Sequence, residues 1–217
     1  MSLFPNDPVS PREFIEEIIP AFFAEMQFDE RVDSLDLKLG IRLEGEGGGE
    51  WTLHLVEGEL GIAVGTSSDC ALTVLQTVVD WRAGLWEGRP RLVADAVQQI
   101  KIGGLSAQGP AHAGAAPSNP EALRELESLP GRIDAIVEGV DDPDWSIGVH
   151  IGPGPIAETP NATLRIGAEE AEALRRGDLH PVEALITGQL RLEGDLGLIL
   201  QLQAIAMAAS MSPPSGK

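Results

Sequence analysis

Tyrosine is missing from this chain, and only five Phe and four Trp stand among its 217 residues. Aliphatic side chains are therefore expected to fill most of the core. The single cysteine, Cys70, excludes an intrachain disulfide. Its neighbours Ala71, Leu72 and Val74 read as core, and the basic cluster that an activated thiolate needs is not nearby. Cations are scarce as well: 15 Lys and Arg against 34 Asp and Glu leave a formal charge of -19 at pH 7. That balance opposes phosphate backbones and anionic membrane surfaces, so nucleic acid is excluded as a partner. No apolar run reaches the roughly 20 residues of a membrane span. No basic stretch followed by an apolar one opens the chain, which leads us to expect a cytoplasmic protein. The C-terminal SPPSGK also lacks the final Leu of a peroxisomal address.

Catalytic chemistry is equally thin. Of the four histidines, His54 and His150 fall on polar strand positions, His112 in a Gly- and Ala-rich stretch, and His180 before Pro181. None has a second His at metal-ligand spacing, so each reads as structural or solvated, and neither a metal nor a cofactor is expected. Glu169, Glu170 and Glu172 crowd a helix start, where they favour the macrodipole more simply than they form an acid-base pair. Asn161 to Thr163 spells a glycosylation acceptor, but only by spelling. The expectation is a protein that is not an enzyme.

What the chain does contain is periodicity. Ser10, Pro11 and Glu13 mark a helix start, and Phe14, Ile15, Ile18, Ile19, Phe22, Phe23 and Met26 form its apolar stripe, with a kink expected at Pro20. From Leu35 to Leu43 the period changes to two, and it continues through Trp51 to Leu55 and Leu60 to Val64, an antiparallel meander. Cys70 to Leu75 makes a fourth strand, and Thr77 caps a helix carrying Val78, Trp81 and Leu85. Residues 106–120, rich in Ala, Gly and Pro, read as a linker. The order then recurs at an offset of roughly 90 to 94 positions: Trp51 meets Trp145, and QIKIGG from Gln99 meets QLRLEG from Gln189. The expectation is a tandem repeat.

The most informative stretch is GQLRLEGDLGLILQLQAIAMAASM, Gly188 to Met211. A short strand turns at Gly194, Asp195 is placed as an N-cap, and a helix comes next. Leu198, Leu202, Ile205 and Ala209 form one stripe, whereas Leu196, Ile199, Leu200 and Met207 lie off it. Such a helix needs cover on more than one side: a sheet, a partner chain or an apolar ligand.

Residues Asn161 to Gln203 resemble the sterol carrier protein type 2 family. The resemblance is carried by the strand with Leu164 and Ile166, the helix ending at Gly177, the pair Thr187 and Gly188, the strand Leu190 to Leu192, and Gly194 with Asp195 opening the last helix. It implies an α+β fold of two tandem sterol-carrier-like domains, each a mixed, roughly five-stranded sheet covered on one face by helices. The expected division is 1–105 for a diverged copy lacking its final helix, 106–120 for the linker, 121–211 for the second copy and 212–217 for a disordered tail. Because the first copy would have an open side, the two halves are expected to pack together. The implied function is non-enzymatic binding or transfer of a sterol, fatty acyl chain or similar lipid. Its expected lining is Leu174, Val182, Leu185, Ile186, Leu198, Leu202, Ile205 and Met207. Transient membrane contact and a homodimer fit the same reading. Two alternatives stay open: a structural or regulatory protein-interaction module, and an accessory protein presenting a lipid in quinone or lipid metabolism.

Overall fold

Strand pairing obeys the period-two segments. In the computed structural model, which describes residues 4–25, 36–91, 93 and 120–211, β1 (Asp36–Glu44) pairs antiparallel with β2 (Gly49–Val56). A two-residue turn joins β2 to β3 (Glu59–Val64), with Glu57 and Gly58 both at positive φ, the twist that a tight hairpin requires. Strand β4 (Leu72–Thr77) lies parallel to β1 on its other side. In the second half β5 (Gly131–Glu138) pairs antiparallel with β6 (Trp145–Ile151) and parallel with β7 (Ala162–Gly167). Strand β8 (Leu190–Gly194) runs antiparallel to β7.

Two separate sheets of about five strands were expected, but one sheet of eight forms, in the order β3-β2-β1-β4-β6-β5-β7-β8. The outer edge of β4 pairs antiparallel with β6, from Leu72 opposite Ile151 to Leu75 opposite Gly148. Each half covers an edge the other would leave with unpaired backbone groups. Met26, Gln99 to Gly104, most of the linker and the tail over 212–217 lie outside the described residues.

Because register carries face identity from strand to strand, the sheet has two distinct surfaces. Leu39, Ile41, Trp51, Leu53, Val149, Ile133, Leu164 and Leu192 share one surface; Lys38, Arg42, Thr52, His54, Thr73, His150, Arg132, Arg165 and Arg191 share the other. Helices cover the apolar surface. Helix α1 runs as Pro11–Glu13, a π-turn over Phe14–Ile18, and Ile19–Glu25, and it buries Ile15 against Leu43, Trp51 and Leu53. The bond from Ile19 N–H to Phe14 O spans five residues. This wider turn ends beside Pro20, which has no N–H to give, so the break expected there is a π-turn inside a continuing helix. Glu16 of the π-turn accepts from Trp51 Nε1 at 3.0 Å.

Helix α2 (Val78–Arg82) is capped by Thr77, whose hydroxyl accepts from Asp80 N–H, and runs into a second π-turn over Ala83–Glu87. The few aromatic residues are concentrated here: Phe4, Phe14, Phe22, Trp81 and Trp86 form one connected cluster of edge-to-face and tilted rings. The core of the first half is mostly aliphatic, as composition leads one to expect, with Ile15, Leu43, Leu53 and Val78 buried around Trp51, and this aromatic cluster adjoins it through Phe14 and Trp81.

Candidate functional site

The second half carries α3 (Pro120–Glu127), α4 (Ala168–Arg176), α5 (Pro181–Ile186) and α6 (Leu196–Met211). Helix α6 begins as its sequence dictates: Asp195 Oδ1 accepts from Leu198 N–H at 3.1 Å. Asn161 fixes the approach, its carbonyl accepting from Asp195 N–H at 2.9 Å and its Oδ1 from Arg132 N–H at 2.8 Å. This asparagine therefore ties three chain segments together. Helix α6 then lies against α3 and β7, and Leu198 sits over Gly131 of β5, where a Cβ would come within 2.9 Å of its methyl.

Of the eight residues expected to line a lipid site, Leu198 is buried, and Leu202 and Ile205 are half-buried on the same stripe of α6. Leu174 of α4 packs elsewhere, in a cluster with Ala83, Val137, Trp145, Ile166 and Ala171 that joins both halves. Val182, Leu185 and Ile186 of α5 face solvent, Ile186 at 80% exposure, because the buried residue of that short helix is Ala184. The side chain of Met207 lies outside the described set. Leu196 and Leu200, one helical turn apart, are open at 45% and 53%. The sequence places both off the main stripe, and they are the exposed large apolar side chains among the described residues of α6.

Two clefts lie on the opposite, polar surface, and none of the eight residues lines either. One, of about 540 Å³, is bounded by Lys38, Thr52, His54, Gly61 and Thr66 among others. The second, of about 150 Å³, is bounded by Arg42, Thr66, Cys70, Thr73, His150 and the 152–156 loop. His54 pairs with Asp36 at 2.7 Å, and His180 Nδ1 accepts from Val182 N–H at 3.3 Å. His150 differs: it is 5% exposed, so the solvated alternative fails for it. Cys70 is buried as expected, and burial pushes its thiol above the ordinary value. Among the described residues, no group of three His, Cys, Asp or Glu could hold a metal ion, and no helix is long and apolar enough to cross a membrane.

No curated protein matches the chain. Among solved structures, it is similar to Sterol Carrier Protein 2 from Yarrowia lipolytica in its apo form, at 13% identity and TM-score 0.32, over 43% of this chain and 79% of that one. It is similar also to Sterol Carrier Protein 2 Like 2 from Aedes aegypti, at 20% identity and TM-score 0.31, over 56% and 97%. A third, a UbiJ-SCP2 ubiquinone synthesis protein, is 12% identical with TM-score 0.28, over 96% and 99%. The segment that builds the β5 to β8 half of the sheet and most of its helical cover, residues 112–207, matches the model of the SCP-2 sterol transfer family.

Proposed function

We propose that this protein binds and hands over an apolar lipid, a sterol, fatty acyl chain or similar, without changing it chemically, and that α5 and α6 form the receiving surface. The observation that carries this reading is the state of α6. Sixteen residues without one charge pack on one side through Leu198 and leave Leu196 and Leu200 in water, and Val182, Leu185 and Ile186 of α5, the helix on the other side of β8 in the chain, are exposed as well. In a chain of net charge -19, uncharged apolar surface of this kind calls for cover. About ten buried methylenes would contribute about 8 kcal/mol before the costs of association are subtracted, so partial insertion of one chain suffices for useful affinity. The match of residues 112–207 to a sterol transfer family supports the same assignment.

We also read the first half as a diverged copy of the second. The recurring pairing order of β1, β2 and β4 in β5, β6 and β7 supports it. Its helical side is filled by Ile15, Leu43, Leu53 and Val78 together with Trp51, Phe14 and Trp81, which favours the second half as the lipid-holding one.

Incubation with a mixed lipid extract followed by native mass spectrometry is expected to capture the protein with bound lipid. A double Leu196→Asn and Leu200→Asn variant, altering side chains already in water, is expected to lose displacement of a fluorescent fatty acid by about tenfold or more. Lipid never captured in repeated trials would remove the proposal; lipid captured equally by the variant would move the surface elsewhere. The exposed Val182 and Ile186 also suit a protein partner. Sedimentation that depends on concentration, in the absence of bound lipid, would favour that interaction-module reading.

A further inference from the structure

Strand alternation places Thr73 and His150 on the polar surface, directly opposite each other at the β4 to β6 junction, yet they are 2% and 5% exposed. Their cover is the segment before β4 and the loop after β6. These are bound by hydrogen bonds of 2.8 Å from Gly152 N–H to Ala71 O and from Gly154 N–H to Ser68 O. Gly40 of β1 permits the close approach: a Cβ there would stand 2.5 Å from Thr73 Oγ1 and 2.9 Å from Thr66 Cγ2. The result is the pocket of about 150 Å³, whose wall includes Arg42, Thr66 and Thr73 from one half and His150, Gly152, Gly154 and Ile156 from the other.

The polar atoms in that wall are not matched to each other. Among the described residues, neither ring nitrogen of His150 has a hydrogen-bond partner, and neither does Thr66 Oγ1. Buried polar groups ordinarily have partners, so three such atoms on two residues that line one hollow point to a guest. Charge indicates what kind. Arg42 lines the pocket and stands 2.7 Å from Glu50 through Nε alone. Arg132 is opposite His150 on β5, its guanidinium held by Asp134 and by the carbonyls of Ala157 and Glu158. Burial and the Arg132 charge both hold the imidazole below its ordinary pKa, so it meets a guest as a neutral ring with one N–H. Donors from Arg42, Thr66 and His150 around so small a volume suit an oxygen-rich, negatively charged group.

We propose that this pocket binds a small oxyanion, a carboxylate or a phosphate group, through Arg42, Thr66 and His150, and so clamps the two halves of the sheet at their junction. The site lies on the surface facing away from α5 and α6 and is independent of the lipid reading.

The test uses the full chain with isotope-labelled histidine, titrated with sodium phosphate and separately with sodium acetate at constant ionic strength. The His150 ring resonances are expected to shift saturably with at least one of them, and the melting temperature to rise with the same midpoint. Saturation by phosphate only assigns a phosphoryl group, by acetate only a carboxylate, and either supports the site. Thr66→Val, which keeps the shape of the side chain, and Arg42→Gln are each expected to weaken that midpoint about tenfold or more. Fatty acid displacement should stay unchanged in both. Resonances unmoved by either anion, or moved equally by sodium chloride or glycerol, would show a pocket filled by water alone and overturn the proposal. So would unchanged affinity in a folded Thr66→Val protein.

Discussion

His150 is a buried imidazole beside a guanidinium, and pH reads the cost of that placement directly. Its pKa is lowered by burial first and by Arg132 second, so on acidification the unfolded chain takes up the proton before the folded one does. Stability is therefore expected to fall as pH drops below the free histidine value of 6.5, where the unfolded state binds more protons. The groups beside it are Arg42 and Cys70 in the pocket wall and Arg132, paired with Asp134, on β5. Measured as the urea midpoint against pH, this slope should flatten in His150→Asn. Asp69 behaves in the opposite range. Hydrogen bonds from Lys38 and then Ser67 hold its carboxyl at about 2, against an ordinary 3.8. Its contribution is fully present above the ordinary value and is lost as pH falls from there toward 2; Asp69→Asn should remove that part of the acid titration. Alternation made His54 and His150 look alike in the sequence. What separates them is cover from two aperiodic loops, over 66–70 and 152–156, whose landing place on the sheet has no local signature.

Helix starts were legible because capping is local: Ser10 accepts from Glu13 N–H, Thr77 from Asp80 N–H and Asp195 from Leu198 N–H, each in the place its spelling implied. The phase of a helix was less so. The π-turn before Pro20 adds a residue to one turn and shifts the phase of the helix, and Glu16 within it reaches the indole of Trp51 although it lies off the apolar stripe. In the six residues of α5, period alone could not say whether Val182, Leu185 and Ile186 or Ala184 would face the sheet; the smallest residue is the one that is buried. The cap on α6 has a measurable consequence. Asp195→Ala is expected to cost about 1 kcal/mol, within the range for lost N-caps, and to raise hydrogen exchange in the first turn of α6. Because Asn161 still accepts from the residue 195 N–H, the entry angle of the helix should survive, and the change should appear as fraying, with little displacement.

At the scale of the molecule, strand positions and their alternation were legible, but the continuous sheet was not. The β4 to β6 ladder joins residues 73 to 79 positions apart, and parity alone says nothing about which edges meet. Much of the stability of each half therefore depends on the other. Thr73 of β4 is covered in part by the 152–156 loop, Ala83 packs in the cluster of Val137, Trp145 and Ile166, and Trp145 Nε1 donates to Asp80 O at 2.8 Å. Ser146 Oγ donates to the Asp80 carboxylate at 2.9 Å, and Gln76 Nε2 donates to Ser146 O at 2.9 Å. A fragment of residues 1–105 would expose the β4 edge, its part of that cluster and these polar groups at once. The full chain should unfold in urea as one transition whether followed by Trp fluorescence or by far-ultraviolet circular dichroism. The fragment should show a broad change of low amplitude and a tendency to associate through its open strand. A sharp fragment transition, with a urea dependence in proportion to its length, would mean that the first half is self-sufficient and that the β4 to β6 ladder only docks two finished units.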